Sequence, residues 1–337
     1  MSRLCLPACI SGLITAMGLA GVSQADEPSF NTVRIDDRNY VNLADVARYY
    51  EFNRNWTQEG LNVALRSKLK WKKLDLRIDS CDGKVNGVRI WLNHSPLENR
   101  NSVLISEVDV RKTLDPVLRP WAVRKKKVKT VMIDPGHGGE DRGARGKRGS
   151  TEKHLTLDLA MRVEKLLKEA GFKVVMTRRR DTYISLEDRS ELANSSDADL
   201  FVSLHFNSVA NSKQPQGVET YCLTPVGLSS TGSIRQRFGI ANFDKEPGNA
   251  FDYQNMLLAY LVQQRLLAGV PKVEDRGIKR ARFFVIKATE IPSILIENGF
   301  LSHPVEEKRI LTSAHRNKLA VAIVEGIKKY AELMNPS

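Results

Sequence analysis

Four side chains in this sequence of 337 residues could do hydrolytic chemistry together: His137, Glu152, His205 and Glu297. His137 lies in Asp134-Pro135-Gly136-His137-Gly138-Gly139, just past the apolar run Val128–Ile133. His205 follows the run Leu200–Leu204, and Glu297 follows Ile294–Ile296. If those runs are parallel strands, all three side chains gather beyond the carboxyl ends of a sheet, where open α/β folds bind ligands. The glycines around His137 allow a tight turn that leaves its imidazole exposed. Glu152 opens a helical repeat, and Leu155 and Leu159 at i+3 and i+7 put it on the sheet-facing stripe. Alone, it is a favourable charge at a helix N-terminus. Beside two histidines and a second glutamate, it is also a ligand candidate.

Two imidazoles and a carboxylate are a ligand set of catalytic zinc sites, with water at the fourth corner. One Zn2+ held by His137, Glu152 and His205 would lower the pKa of that water to about 7. Glu297 is then left to take the proton and pass it to a leaving amine. Asp134 and Asn207 are candidates for orienting the imidazoles, although Asp134 reads equally well as a turn cap. His94, His154, His303 and His315 read as surface or packed residues. No H-E-x-x-H helix occurs, which removes one large class of zinc peptidase, and no G-x-S-x-G motif supports a serine hydrolase. A zinc peptidase of another type and a non-catalytic binding protein stay open.

The elements needed to position these groups can be read from periodicity. Past residue 128, strands are expected at Val128–Ile133, Phe172–Met176, Leu200–Leu204, Gly217–Leu223, Phe283–Ile286 and Ile294–Ile296. Helices are expected at Glu152–Ala170, Leu186–Ala193, Leu257–Leu267 and Ala314–Met334, the last with Leu319, Ile323, Ile327, Tyr330 and Met334 on one stripe. That alternation predicts a three-layer α/β domain, a largely parallel sheet flanked by helices. Residues 26–120 instead show short apolar runs split by turn signals such as Asn86-Gly87, with a short helix at Ala44–Tyr50 and another at Glu107–Leu114 stopped before Pro116. They predict a small β-rich domain. The segment 121–127 reads as a basic linker, and 128–337 as the catalytic domain.

Lys and Arg total 52 against 39 Asp and Glu, a formal charge of +13 that predicts attraction to polyanions. The mean hydropathy of −0.33 excludes a polytopic membrane protein. Residues 1–25 carry Arg3, an uncharged apolar run and the small residues Ser23 and Ala25, the pattern of a cleaved signal peptide. The expected location is therefore the periplasm or the exterior, with no stable membrane insertion after cleavage and no nucleic-acid partner. Cys81 and Cys222 then remain, and they read as buried thiols.

Several motifs in order resemble those of the zinc-dependent N-acetylmuramoyl-L-alanine amidases. They are Ile133 to Gly139, Thr151-Glu152-Lys153, Phe201 to Asn207, Gly217 to Tyr221 and Ile296 to Ser302, with Arg178 to Asp181, Arg189, Ala193-Asn194 and Ala198-Asp199 between them. The resemblance implies zinc on His137, Glu152 and His205, and Glu297 as the catalytic glutamate. The implied reaction is cleavage of the peptidoglycan amide between the lactyl group of N-acetylmuramic acid and L-alanine of the stem peptide. Arg142 and Arg145, with Lys147 and Arg148, are then candidates for stem-peptide carboxylates. A long segment at 224–256 departs from the pattern and reads as a substrate-side lid or glycan-contact loop. Val33–Leu43, Val85-Asn86-Gly87 and Ile105–Pro120 resemble the copper-amine-oxidase N-terminal-like domain, implying positioning or wall attachment and no copper site. An activator protein, glycan length, stem-peptide chemistry and oligomeric state are not legible.

Overall fold

The computed structural model describes residues 27–53, 57–68, 72–100, 102–209, 215–231 and 244–335. The expected signal peptide at 1–25 and the middle of the 224–256 segment lie outside the described residues.

The C-terminal half is built on β10 (Thr130–Pro135), buried at every position. On either side of it run β11 (Lys173–Met176) and β12 (Leu200–Asn207), both parallel to it, and β15 (Ser293–Phe300) is parallel to β12. Beyond β15 lies β13 (Val218–Leu223), antiparallel, and then β14 (Asp275–Ala281), parallel to β13. Along β10, Val131 and Ile133 join one core with Leu155, Leu159 and Val163, while Met132 joins another with Phe201 and Val285. Alternation with both faces apolar is what a strand needs when helices cover the sheet on each side. On one face lie α2 (Glu152–Glu169), α4 (Asp252–Gly269) and α7 (Ser313–Met334). On the other lie α3 (Leu186–Ser195) and α5 (Phe284–Lys287). A three-layer domain with a largely parallel sheet is what results.

The N-terminal half is β-rich. Strands β3 (Thr57–Glu59), β4 (Asn62–Arg66), β5 (Lys73–Arg77), β6 (Asp82–Val85) and β7 (Val88–Trp91) form an antiparallel meander. Asn86 and Gly87, both at positive φ, make its two-residue turn. A second sheet joins β1 (Thr32–Ile35), β2 (Arg38–Asn42), β8 (Leu97–Asn99) and β9 (Ser102–Ser106), with helix α1 at Leu43–Tyr49. The meander continues the C-terminal sheet, because Ile90 of β7 pairs with Ile278 of β14. Around that seam, Asp275 accepts the Arg89 N–H, and the Trp91 indole donates to the Arg276 carbonyl.

Two expected elements differ. Phe283–Ile286 is not a strand: Phe284–Lys287 is a helical turn, and the strand lies earlier, at Asp275–Ala281. A short apolar run fits either state. The true strand was hidden because Arg276, Lys279 and Arg280 stand in it as partnered charges. Pro116 does not stop the helix before it either. A widened turn at Val110–Leu114 leads into Asp115–Leu118, where Pro116 occupies the first turn and owes no hydrogen bond.

Candidate active site

Strand β10 delivers His137 two residues past its end, in a left-handed backbone conformation (φ 63°). Strand β12 delivers His205, and α2 delivers Glu152 at its first position. Their ligand atoms all lie within 4.8 Å of one another. Glu152 Oε1 is 2.9 Å from His205 Nδ1, and Oε2 is 3.2 Å from His137 Nε2. Donor atoms on one zinc at about 2.0–2.1 Å stand about 3.3 Å apart, so these separations fit a single ion. Gly136 permits the approach: a β-carbon there would overlap the His205 ring.

Glu152 is only 4% exposed, and burying an unpaired carboxylate costs several kcal/mol. Its oxygens accept the Phe206 N–H (3.0 Å) and the Ala144 N–H (2.8 Å) besides facing the two imidazoles. Burial pushes its pKa up, but the hydrogen bonds and charges of His137 and His205 win and hold it well below the carboxylate range. Burial likewise works against a charged His137, and Glu152 with Asp141 outweighs it, raising the pKa. A helix-terminus charge needs none of these partners.

The groups that orient the site differ from the expected ones. His137 Nδ1 is 2.8 Å from Asp141 Oδ2, so Asp141, not Asp134, fixes that ring. Asp134 instead accepts Thr177, Ser203 and Arg189, and Arg189 in turn donates to the His137 carbonyl. Asn207 does not reach an imidazole; its amide donates to Glu219 Oε1 at 2.8 Å. Arg142 and Arg145 are exposed on the loop leading to Glu152, outside the cleft lining. His154 is exposed near Asp181, and His303 caps α6 (Pro304–Ile310).

Glu297 sits in β15 opposite His205 on one side and Glu219 on the other. Its Oε2 is buried and has no hydrogen-bond partner among the described residues. Burial, then the carboxylates of Glu152 and Glu219, push its pKa well above the ordinary value, with Lys279 opposing. Glu219 was not singled out from the sequence. It is 1% exposed and accepts Asn207, Tyr221 (2.7 Å), Arg276 (2.8 Å) and Lys279. A glutamate inside a strand pattern was the available signal, since burial there demands partners. The cleft over the site is lined by His137, Asp141, His205 and Glu297 on its polar side and by Tyr183, Ile184, Leu186, Phe283, Phe284 and Val285 on its apolar side.

Residues 131–329 match the family model described as N-acetylmuramoyl-L-alanine amidase. The chain belongs to that amidase family. It is 34% identical over 249 residues to the amidase AmiA of Escherichia coli K12, covering 68% of this chain and 85% of that protein. Among solved structures, the amidase AmiC2 of Nostoc punctiforme superposes with a TM-score of 0.50 at 32% identity, over 60% of this chain and 97% of that one. An N-acetylmuramoyl-L-alanine amidase from Clostridium difficile 630 gives 0.50 at 36% identity, over 61% and 98%. The chain is thus an amidase acting on peptidoglycan, and the matched region contains His137, Glu152, His205 and Glu297. Residues 27–120, with the meander that extends the sheet, precede the amidase match.

Proposed function

We propose that this amidase is a zinc enzyme, with the ion held by His137, Glu152 and His205 and the proton carried by Glu297. The observation behind this reading is the convergence of two imidazoles and a buried carboxylate on one point, beside a carboxylate whose Oε2 has no partner among the described residues. Zinc there would act as a Lewis acid on the carbonyl and turn water into a nucleophile near neutral pH. Asp141 holds the His137 ring through Nδ1, leaving Nε2 free for the metal. Glu297 takes a proton from the attacking water and returns it to the departing L-alanine nitrogen. Its high proton affinity in this buried setting suits the second half of that task.

The bond cut is the amide between the lactyl group of N-acetylmuramic acid and L-alanine. Arg142 and Arg145 meet stem-peptide carboxylates from the loop beside Glu152. The enzyme acts in the periplasm or outside the cell, a reading supported by the leader pattern at 1–25 and by the peptidoglycan substrate. Among the described residues no helix is long and apolar enough to cross a membrane. Residues 26–120 serve as a positioning or wall-binding domain, and 121–127 as the basic connection to the catalytic domain. An activator protein is a further partner to test, since the CwlD amidase of Clostridioides difficile has been solved in complex with the GerS lipoprotein.

Mass spectrometry of purified peptidoglycan after incubation tests the reading. Stem peptides beginning with L-alanine and peptide-free glycan are expected, lost on chelation and regained with zinc. Peptides shortened from within would reassign the enzyme as a peptidase.

A further inference from the structure

The apolar side of the cleft has no role in the chemistry above. Tyr183 is 50% exposed and Phe283 40% exposed, and both line the space that His137, His205 and Glu297 also line. Aromatic rings usually end up buried, so two rings held open beside a reaction centre need a reason. Each is fixed by its backbone. Phe283 is the N-cap of the turn Phe284–Lys287 and packs edge-on against Tyr221 at 5.1 Å between ring centres. Tyr183 lies against Gly139, where a β-carbon would come within 2.6 Å of the Tyr183 nitrogen. The Tyr221 hydroxyl is in turn held by Glu219. The Phe283 ring is thus held by Tyr221 and the Tyr183 backbone is anchored by Gly139, and both residues line the same cleft.

The charges of the lining limit what that cleft can take. Among the described lining residues Arg189 is the only permanent cation, and four of its five N–H donors go to Asp134, Pro135, His137 and Ile184. Because Arg189 is 2% exposed and already paired with Asp134, it offers an acidic stem peptide little. The other half of the proposed substrate is neutral: a muramyl pyranose, whose C–H faces pack on aromatic rings while its acetamido and hydroxyl groups stay at the edges. We infer that Tyr183 and Phe283 form a sugar subsite that takes the muramyl side of the scissile bond, so that the stem peptide leaves the cleft elsewhere. This orientation rests on the amidase reading above.

Two measurements test it. The first is binding of a peptide-free glycan oligosaccharide, followed by calorimetry with wild type, Phe283→Ala and Tyr183→Ala. Affinity is expected to weaken about tenfold in each variant. The second compares cleavage of a muramyl-peptide with cleavage of a sugar-free lactyl-L-alanyl peptide. The preference for the sugar-bearing substrate is expected to narrow about tenfold in the variants, through KM rather than kcat. Unchanged glycan affinity, or an unchanged preference, overturns the subsite. Zinc-loaded wild type that binds glycan but cleaves neither substrate would overturn the reaction and leave the subsite standing. Because both rings are exposed, thermal melts of the variants should match wild type.

Discussion

Glu219 and Glu297 stand directly opposite one another across the antiparallel pair of β13 and β15. The two carboxyl groups have contrasting surroundings. Glu219 is clamped by Arg276 and Lys279 from β14 and by Asn207 and Tyr221, and its pKa is lowered: burial opposes ionisation, but Lys279 leads the groups that favour it. Glu297 has a buried oxygen with no partner among the described residues, and its pKa is raised. One carboxylate is thus kept charged as part of the frame, and its neighbour is left free to hold a proton.

Glu219→Gln should be strongly destabilising. Removing one side of a buried ion pair typically costs about 3–5 kcal/mol, because the remaining cations lose their counter-charge. Denaturant unfolding should show that loss, and adding Lys279→Met should recover part of it. A loss below about 1 kcal/mol would mean that the clamp contributes little.

Glu297→Gln keeps the shape and removes the proposed proton carrier. Hydrolysis should fall about 10²–10⁴-fold, while the zinc content of the purified protein stays near one per chain. Retained turnover would move the proton-transfer role to another group.

Gly136→Ala should cost metal binding although Gly136 ligates nothing, because the new methyl displaces the His205 ring. Asp141→Asn should weaken zinc affinity about 10–100-fold by loosening the His137 ring. Competition with a calibrated chelator measures both. Asp134→Asn, which leaves the His137 hydrogen bond to Asp141 in place, should lower the melting temperature more than it lowers zinc affinity.

Acid should destabilise the fold in two stages. Burial, aided by nearby arginine, pushes the pKa of His94 down to about 4, and burial with the cations around it does the same for His315. An unfolded histidine titrates near 6.5, so the unfolded chain binds more protons between those values. The stability these histidines contribute is therefore complete above about pH 6.5 and is lost as pH falls towards 4. Carboxylates held low, such as Glu152 and Asp158, add their loss at lower pH. Melting curves from pH 7 to 4 should slope downwards, and His94→Gln with His315→Gln should flatten that slope.

Much of the fold was legible because its strands and helices keep strict periods. The stripe Leu155, Leu159, Val163 and Leu167 is buried on α2, and β10 and β12 lie within a few residues of their apolar runs. What escaped was the element whose side chains are polar. Strand β14 carries the half-buried Arg276 and Lys279 and the buried Arg280, which make sense there only once Glu219, the Leu223 carbonyl and the Lys112 carbonyl are beside them. Local sequence holds no trace of a partner 57 residues away. The same blindness hid the continuity between the N-terminal meander and the catalytic sheet, which rests on Ile90 meeting Ile278.

The candidate site divides in the same way. Residue type and position at strand ends and at a helix start were enough to single out His137, Glu152, His205 and Glu297, because metal and proton chemistry restrict which side chains serve. The residues that aim them were decided by the tertiary structure alone. Asp141 rather than Asp134 reaches His137, and Asn207 serves Glu219 rather than an imidazole. A hydrogen bond depends on ångström distances and direction, and only the packed sheet with its loops sets those.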